Sequence, residues 1–94
     1  MNKSVSNKKV TVGLTNGLHL RPQSMIVQIA QGFESDVTLS IKSHKVDAKS
    51  MLDLMTLAAT FGTELLLEAA GPDAKSAVES IGELFESNFK DMGS

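Results

Sequence analysis

The chain has 94 residues and contains no cysteine, tryptophan or tyrosine, so four phenylalanines are its only aromatic side chains. Without cysteine, neither a disulfide framework nor a thiolate metal site can form. The formal net charge is −2, and no stretch combines basic with aromatic residues as nucleic-acid-binding proteins do. We therefore expect no nucleic-acid partner, no metal site and no cofactor on this chain.

Long apolar runs are also missing, since no stretch approaches the ~20 residues that a membrane-spanning helix needs. The first nine residues are mostly polar and no long apolar segment follows them, so we expect no signal peptide. The length allows one hydrophobic core but not a two-domain enzyme with a closed cleft. The sequence predicts a single soluble cytoplasmic domain over residues 1–94, without membrane insertion and with a flexible tail at residues 1–7.

Apolar periodicity divides the chain into seven elements in the order β-α-β-β-α-β-α. Strands are predicted at residues 10–14, 37–41, around Val46 and at 63–70, and helices from Pro22 to Gly32, from Ser50 to Leu57 and from Ala74 to Phe85. Alternating strands suit an antiparallel sheet with one solvated face, and three helices can cover the other face. The fold class is α+β, with a four-stranded antiparallel sheet covered on one face by three helices.

The segment Gly17-Leu18-His19-Leu20-Arg21-Pro22 places a histidine where a strand ends and a helix begins. A helix start has unpaired backbone N–H groups and a partial positive charge, so it can receive a phosphate group. A neutral imidazole can attack phosphorus, and a guanidinium can hold the transferred group. The alternative is a capping histidine without chemistry, but histidine is not a favoured cap.

Two other polar residues have simpler interpretations. Ser50 stands before a short helix and Asp53 follows three residues later, the spacing of a capping box in which each side chain bonds the other residue's N–H. His44 lies in a predicted turn over residues 42–45, and we expect it to be a solvated loop residue.

Residues 16–22, with an amphipathic helix ending near Gly32-Phe33, resemble the active segment of the HPr family. These proteins are the histidine-containing phosphocarriers of the bacterial phosphoenolpyruvate-dependent sugar phosphotransferase system (PTS). The likeness continues through Ala48-Lys49-Ser50-Met51, Thr56-Leu57 and Gly62-Thr63 to the last helix. It implies the HPr-like open-faced β-sandwich, phosphorylation of His19 on Nδ1, and a role for Arg21 beside the phosphoryl group.

The resemblance also implies partners. Enzyme I would donate a phosphoryl group from phosphoenolpyruvate to His19, and enzyme IIA domains would receive it. The chain would then be a monomeric phosphocarrier rather than an enzyme. Many members carry a serine at the position of Ser50 that a dedicated HPr kinase/phosphorylase modifies, with transcriptional regulators as further partners. The family's apolar docking region falls on Met51, Leu52 and Met55, of which we expect one or two to be exposed.

Three positions depart from the family pattern. Leu20 stands where Thr or Ala is more usual, and Gln23 where Ala usually follows the proline. We expect both to flank the phosphate and to influence partner choice. Asp53 stands where Gly or Lys is more usual, and its carboxylate would repel a phosphate on Ser50.

Three alternatives to the sugar-system carrier are open. One is a nitrogen-type PTS. Another is a regulatory HPr-like protein that acts through Ser50, although such proteins lack the active histidine that this chain has. The last is a ferredoxin-like module for small ligands or RNA, which would need the stacking aromatics and basic sheet that are missing here.

Overall fold

The computed structural model describes residues 4–90 and contains seven elements in the predicted order. The strands are β1 (Ser4–Thr11), β2 (Asp36–Ile41), β3 (His44–Asp47) and β4 (Glu64–Gly71), and the helices are α1 (Leu20–Gln31), α2 (Met51–Met55) and α3 (Ala74–Glu86). The strands form one antiparallel sheet in the order β1-β4-β2-β3. The predicted α+β class, with three helices on one face of this sheet, is confirmed. No helix among residues 4–90 is long and apolar enough to cross a membrane.

The hydrophobic core lies between the sheet and the helices. In β4, Leu65 and Leu67 are buried while Leu66 is only half-buried, as the alternating pattern predicts. The predicted apolar stripe of α3 is buried in full and consists of Ala74, Ala77, Val78, Ile81, Leu84 and Phe85. Strand alternation and helical spacing therefore identify the main core residues correctly.

The first strand both begins and ends earlier than predicted, because β1 runs from Ser4 to Thr11 whereas residues 10–14 were expected to form it. β1 pairs with β4 along its whole length, from Ser4 opposite Gly71 to Thr11 opposite Glu64. The prediction of a flexible tail is therefore wrong for residues 4–7, while residues 1–3 lie outside the described residues. Since β1 is an edge strand with mostly exposed side chains, its sequence lacks the alternation by which a half-buried strand is recognised.

The hairpin formed by β2 and β3 is also tighter than predicted. Only residues 42–43 form the turn, because Ile41 already pairs with His44 at the start of β3. His44 is therefore a strand residue rather than a loop residue. It is exposed, and its Nε2 lies 3.0 Å from Thr56 Oγ1.

Asp73 ties the start of α3 to the segment before β2. Its carboxylate accepts hydrogen bonds from the Ser35 hydroxyl at 2.6 Å, the Ser35 N–H at 2.9 Å and the Glu34 N–H at 3.0 Å. The Ser35 hydroxyl, followed by the Glu34 N–H, lowers the pKa of Asp73 from 3.8 to about 2, because these bonds stabilise the ionised form. This contact will weaken in acid.

Candidate functional site

His19 is the N-cap residue of α1 and has an extended backbone, with φ −87° and ψ −168°. Its carbonyl accepts the first hydrogen bond of the helix, from the Gln23 N–H at 3.0 Å. Its side chain is exposed and makes no capping hydrogen bond. The imidazole is therefore accessible from solvent at the helix start, where the sequence predicts a nucleophile.

The first turn of α1 provides the predicted receptor for an anion. Leu20 and Arg21 occupy the first two helical positions, so their N–H groups precede the hydrogen-bonded ladder. Pro22 follows and has no N–H to donate. The first turn contains no acidic residue, and the Arg21 side chain is exposed. Two N–H groups, the positive helix end and a guanidinium are thus available near His19 for a phosphoryl group.

The loop between α2 and β4, which we call the supporting loop, holds the segment before His19 in place. Leu18 is buried, and its N–H donates to the carbonyl of Ala59 at 2.9 Å. Gly17 has φ +73°, and a Cβ at this position would lie 2.6 Å from the Ala59 carbonyl oxygen. Only glycine fits such a conformation and such a close approach. The loop around Ala59 therefore determines how the chain enters α1.

Gln23 does not lie on the partner-facing surface, so that prediction is wrong. The residue is only 6% exposed, and its Nε2 donates to the carbonyl of Leu18 at 2.7 Å and, over a longer distance of 3.5 Å, to that of Leu54 in α2. Gln23 shares the buried face of α1 with Ile26 and Ala30, at the spacing i, i+3, i+7. This spacing indicates that position 23 is buried, but the sequence interpretation placed Gln23 on the surface because its side chain is polar.

Exposed apolar side chains occur on α1, on α2 and in the loop between α2 and β4. Of the three predicted docking residues of α2, Leu52 and Met55 are exposed and Met51 is half-buried, which agrees with one or two being exposed. Leu20 is exposed at the start of α1. Phe61, in the supporting loop, is 63% exposed and was missed. Its position before Gly62 in a turn was the available signal. We call Leu20, Leu52, Met55 and Phe61 the apolar set.

Ser50 caps α2 as predicted, but the capping box is only half formed. Its Oγ accepts from the Asp53 N–H at 3.1 Å. The Asp53 carboxylate accepts from the N–H of Asp47 at 3.1 Å rather than from that of Ser50, which donates to the Asp47 carbonyl. The end of β3 supplies these alternative partners, and spacing along the helix does not reveal them. Among residues 4–90, no group of three or more His, Asp or Glu side chains could hold a metal ion.

Residues 6–87 match the family model described as the PTS HPr component phosphorylation site. The chain belongs to the HPr family. The phosphocarrier protein HPr of Xylella fastidiosa is 39% identical over 83 residues, which cover 88% of this chain and 93% of that protein. The HPr-like protein Crh of Bacillus subtilis is 46% identical over 74 residues, covering 79% of this chain and 87% of that protein.

Solved structures of the HPr family show the same architecture. HPr-C-His from Thermoanaerobacter tengcongensis superposes with a TM-score of 0.87 at 32% identity, over 90% of this chain and 96% of that chain. As a member of the HPr family, the chain is a PTS phosphocarrier rather than an independent catalyst.

Proposed function

We propose that His19 accepts a phosphoryl group from phospho-enzyme I and passes it to enzyme IIA domains in the cytoplasm. The observation that carries this proposal is the exposed imidazole at the N-terminus of α1, without a capping hydrogen bond, in a chain of the HPr family. The chain acts as a monomeric co-substrate of the PTS phosphotransferases. It forms a covalent intermediate and needs no cofactor of its own.

The transfer step follows from the groups at the helix start. Nδ1 of His19 attacks phosphorus, so that a nitrogen–phosphorus bond forms while the bond from phosphorus to the donor breaks. The N–H groups of Leu20 and Arg21 and the Arg21 guanidinium stabilise the negative charge on the transferred oxygens. Transfer to enzyme IIA is the same step in reverse. An exposed site suits this relay because donor and acceptor must each reach the same phosphorus.

The apolar set supplies the docking contacts in this proposal. Leu52 and Met55 project from α2, while Leu20 and Phe61 lie on α1 and the supporting loop. Exposed apolar groups beside a charged site favour protein partners, and a flexible methionine adapts to more than one of them. Met51 is half-buried and contributes the exposed part of its side chain to this surface. Gln23 is buried and does not belong to it.

Ser50 is the proposed regulatory position, modified by an HPr kinase/phosphorylase and then read by transcriptional regulators. A phosphate there would lie at the N-terminus of α2, which the helix tolerates. Asp53 and Asp47 are close to Ser50, so their carboxylates would oppose the added charge. The modification would then act mainly by blocking docking on α2.

A labelling experiment tests the proposal. With enzyme I and labelled phosphoenolpyruvate, the wild type should acquire an acid-labile label that His19→Ala abolishes. His44→Ala is the matched control and should keep the label, because these are the only two histidines of the chain. A label that persists in His19→Ala would overturn the proposal.

A second candidate function is a regulatory HPr-like protein, and the 46% identity to Crh favours it. Such a protein would be phosphorylated on Ser50 by a kinase and would take no label from enzyme I. The same experiment therefore separates the two functions. A nitrogen-type PTS would give the same label on His19 but pass it to a different enzyme IIA.

A further inference from the structure

Gln23 connects the segment before His19 to α2 through a buried side chain. Its Nε2 lies 2.7 Å from the carbonyl oxygen of Leu18 and 3.5 Å from that of Leu54. Leu18 is the residue immediately before His19, and Leu54 is the fully buried residue of α2. One amide group therefore contacts both the phosphoacceptor segment and the helix that presents Leu52 and Met55.

The bond to Leu18 completes the hydrogen bonding of one particular peptide. The carbonyl of the Leu18–His19 peptide accepts from Gln23, and the N–H of the same peptide donates to the Gly17 carbonyl at 3.0 Å. Both polar groups of that peptide plane are thus held. Since this plane determines the backbone direction at His19, it also determines where the imidazole stands relative to the N–H groups of Leu20 and Arg21.

The donor group of Gln23, rather than its acceptor, explains a glutamine at this position. Its Oε1 is buried and has no hydrogen-bond partner among the described residues. A buried acceptor without a partner costs stability, and such groups are rare in proteins. An apolar residue on this buried face of α1 would avoid that cost but would leave the Leu18 carbonyl without the Gln23 donor, so the bond to Leu18 is the contribution that this side chain makes.

We propose that Gln23 is a positioning residue for phosphoryl transfer, which holds the Leu18–His19 peptide so that the His19 ring and the N–H groups of the first turn face the same phosphorus. The inference rests on the proposed function of His19. Without the amide, the peptide plane can rotate and the ring leaves its reactive orientation for part of the time. A small misplacement of a reacting group is enough to slow a transfer step strongly.

Gln23→Met tests this role because methionine has a similar shape and no donor. Gln28→Met is the matched control, since Gln28 is an exposed glutamine on the same helix. With phospho-enzyme I as donor, we expect the kcat of Gln23→Met to fall about tenfold. KM should stay within about twofold of the wild-type value, because the apolar set is unchanged. Gln28→Met should match the wild type in both constants.

Urea unfolding shows whether each variant is folded under the assay conditions. If Gln23→Met does not fold, Gln23→Leu carries the same prediction, because leucine also lacks the donor, is a good helix former and fills most of the buried space. An unchanged kcat in a folded variant would overturn the inference. So would a loss confined to KM, which would make Gln23 a determinant of docking.

A second donor separates this inference from the proposed function. Phosphoramidate phosphorylates imidazole without a protein partner: a new nitrogen–phosphorus bond forms, the bond in phosphoramidate breaks, and ammonia leaves. The ratio of label on His19 to label on His44 should fall in Gln23→Met and stay constant in Gln28→Met. An unchanged ratio would overturn the positioning role, whereas a wild type that takes no label from enzyme I would overturn only the proposed function.

Discussion

At the scale of single residues, Arg21 is the cation closest in sequence to His19 and the only arginine of the chain. A guanidinium can bind two phosphate oxygens at once, whereas a lysine acts as a point charge. We expect Arg21→Gln to slow phosphoryl transfer from phospho-enzyme I by roughly 10- to 100-fold, the worth of a charge-assisted hydrogen bond. Arg21→Lys should recover only part of this loss.

The control for Arg21 is Lys75→Gln, which removes an exposed positive charge from the first turn of α3. This variant changes the net charge by the same amount as Arg21→Gln, but on α3 rather than beside His19. Initial rates at several concentrations of this chain give kcat and KM for each variant. Equal rates for Arg21→Gln and the wild type would contradict the role of the guanidinium.

Asp73 gives a second prediction at this scale, concerning stability and pH. Its pKa is lowered from 3.8 to about 2 in the folded chain, so the folded state favours the ionised carboxylate. Its contribution to stability is therefore fully present above pH 3.8 and is lost as the pH falls towards 2. We expect the unfolding free energy of the wild type to decrease over this interval more steeply than that of Asp73→Asn.

Urea unfolding at a series of pH values measures this difference. Glu79→Gln is the control, because Glu79 is an exposed carboxylate on α3. Its pH profile should follow the wild type. Parallel profiles for Asp73→Asn and the wild type would show that the hydrogen bonds to Glu34 and Ser35 do not stabilise the fold.

At the scale of elements, the loop contact behind His19 can be tested by two glycine substitutions. Gly17 and Gly62 both have positive φ, +73° and +86°. A Cβ at Gly17 would meet the Ala59 carbonyl at 2.6 Å, whereas a Cβ at Gly62 would meet nothing within 4 Å. Both variants incur the backbone strain of about 1–2 kcal/mol, but only Gly17→Ala adds a collision.

We therefore expect Gly17→Ala to lose more unfolding free energy than Gly62→Ala and to slow transfer at His19. Gly62→Ala should lose stability with little effect on transfer, because it leaves the contact between Leu18 and Ala59 intact. Denaturant unfolding and transfer rates measure the two effects separately. Equal behaviour of the two variants would mean that the loop contact has no influence on His19.

The short helix α2 provides the prediction for regulation. Ser50→Ala removes the capping bond to the Asp53 N–H and should cost about 1 kcal/mol of stability. Ser50→Asp keeps a good capping residue, but the nearby carboxylates of Asp47 and Asp53 oppose its charge, so its stability should lie between those of Ser50→Ala and the wild type. If added charge at this position blocks docking on α2, Ser50→Asp should slow transfer from enzyme I and Ser50→Ala should not. Transfer by Ser50→Asp at the wild-type rate would contradict the regulatory role.

At the scale of the whole molecule, the features that the sequence predicted correctly are those determined by local residue patterns. Alternation in β4, the apolar stripe of α3 and the turn residues before His19 are short-range signals, and the structure has each of these elements at the expected place. The order of the strands in the sheet is not a local property. It follows from the pairing of β4 with both β1 and β2.

The wrong predictions have tertiary causes. Residues 4–7, which are polar except for Val5, form a strand only because the edge of β4 is available to them. Gln23 is buried because α1 packs against α2, although its side chain is typical of a surface. The Asp53 carboxylate accepts from the N–H of Asp47 rather than from that of Ser50, because β3 ends beside the first turn of α2. In all three, a partner distant from the residue's own local pattern decides the outcome.

The relay through His19 is tested most directly by isolating the phosphorylated chain and following where its label goes. After labelling by enzyme I and removal of phosphoenolpyruvate, an enzyme IIA domain is added and both proteins are separated at intervals. We expect the label to leave His19 and to appear on the acceptor in equal amount, with no release of free phosphate beyond that of the chain alone. A label that stays on the chain, or is lost only as free phosphate, would contradict a phosphocarrier role.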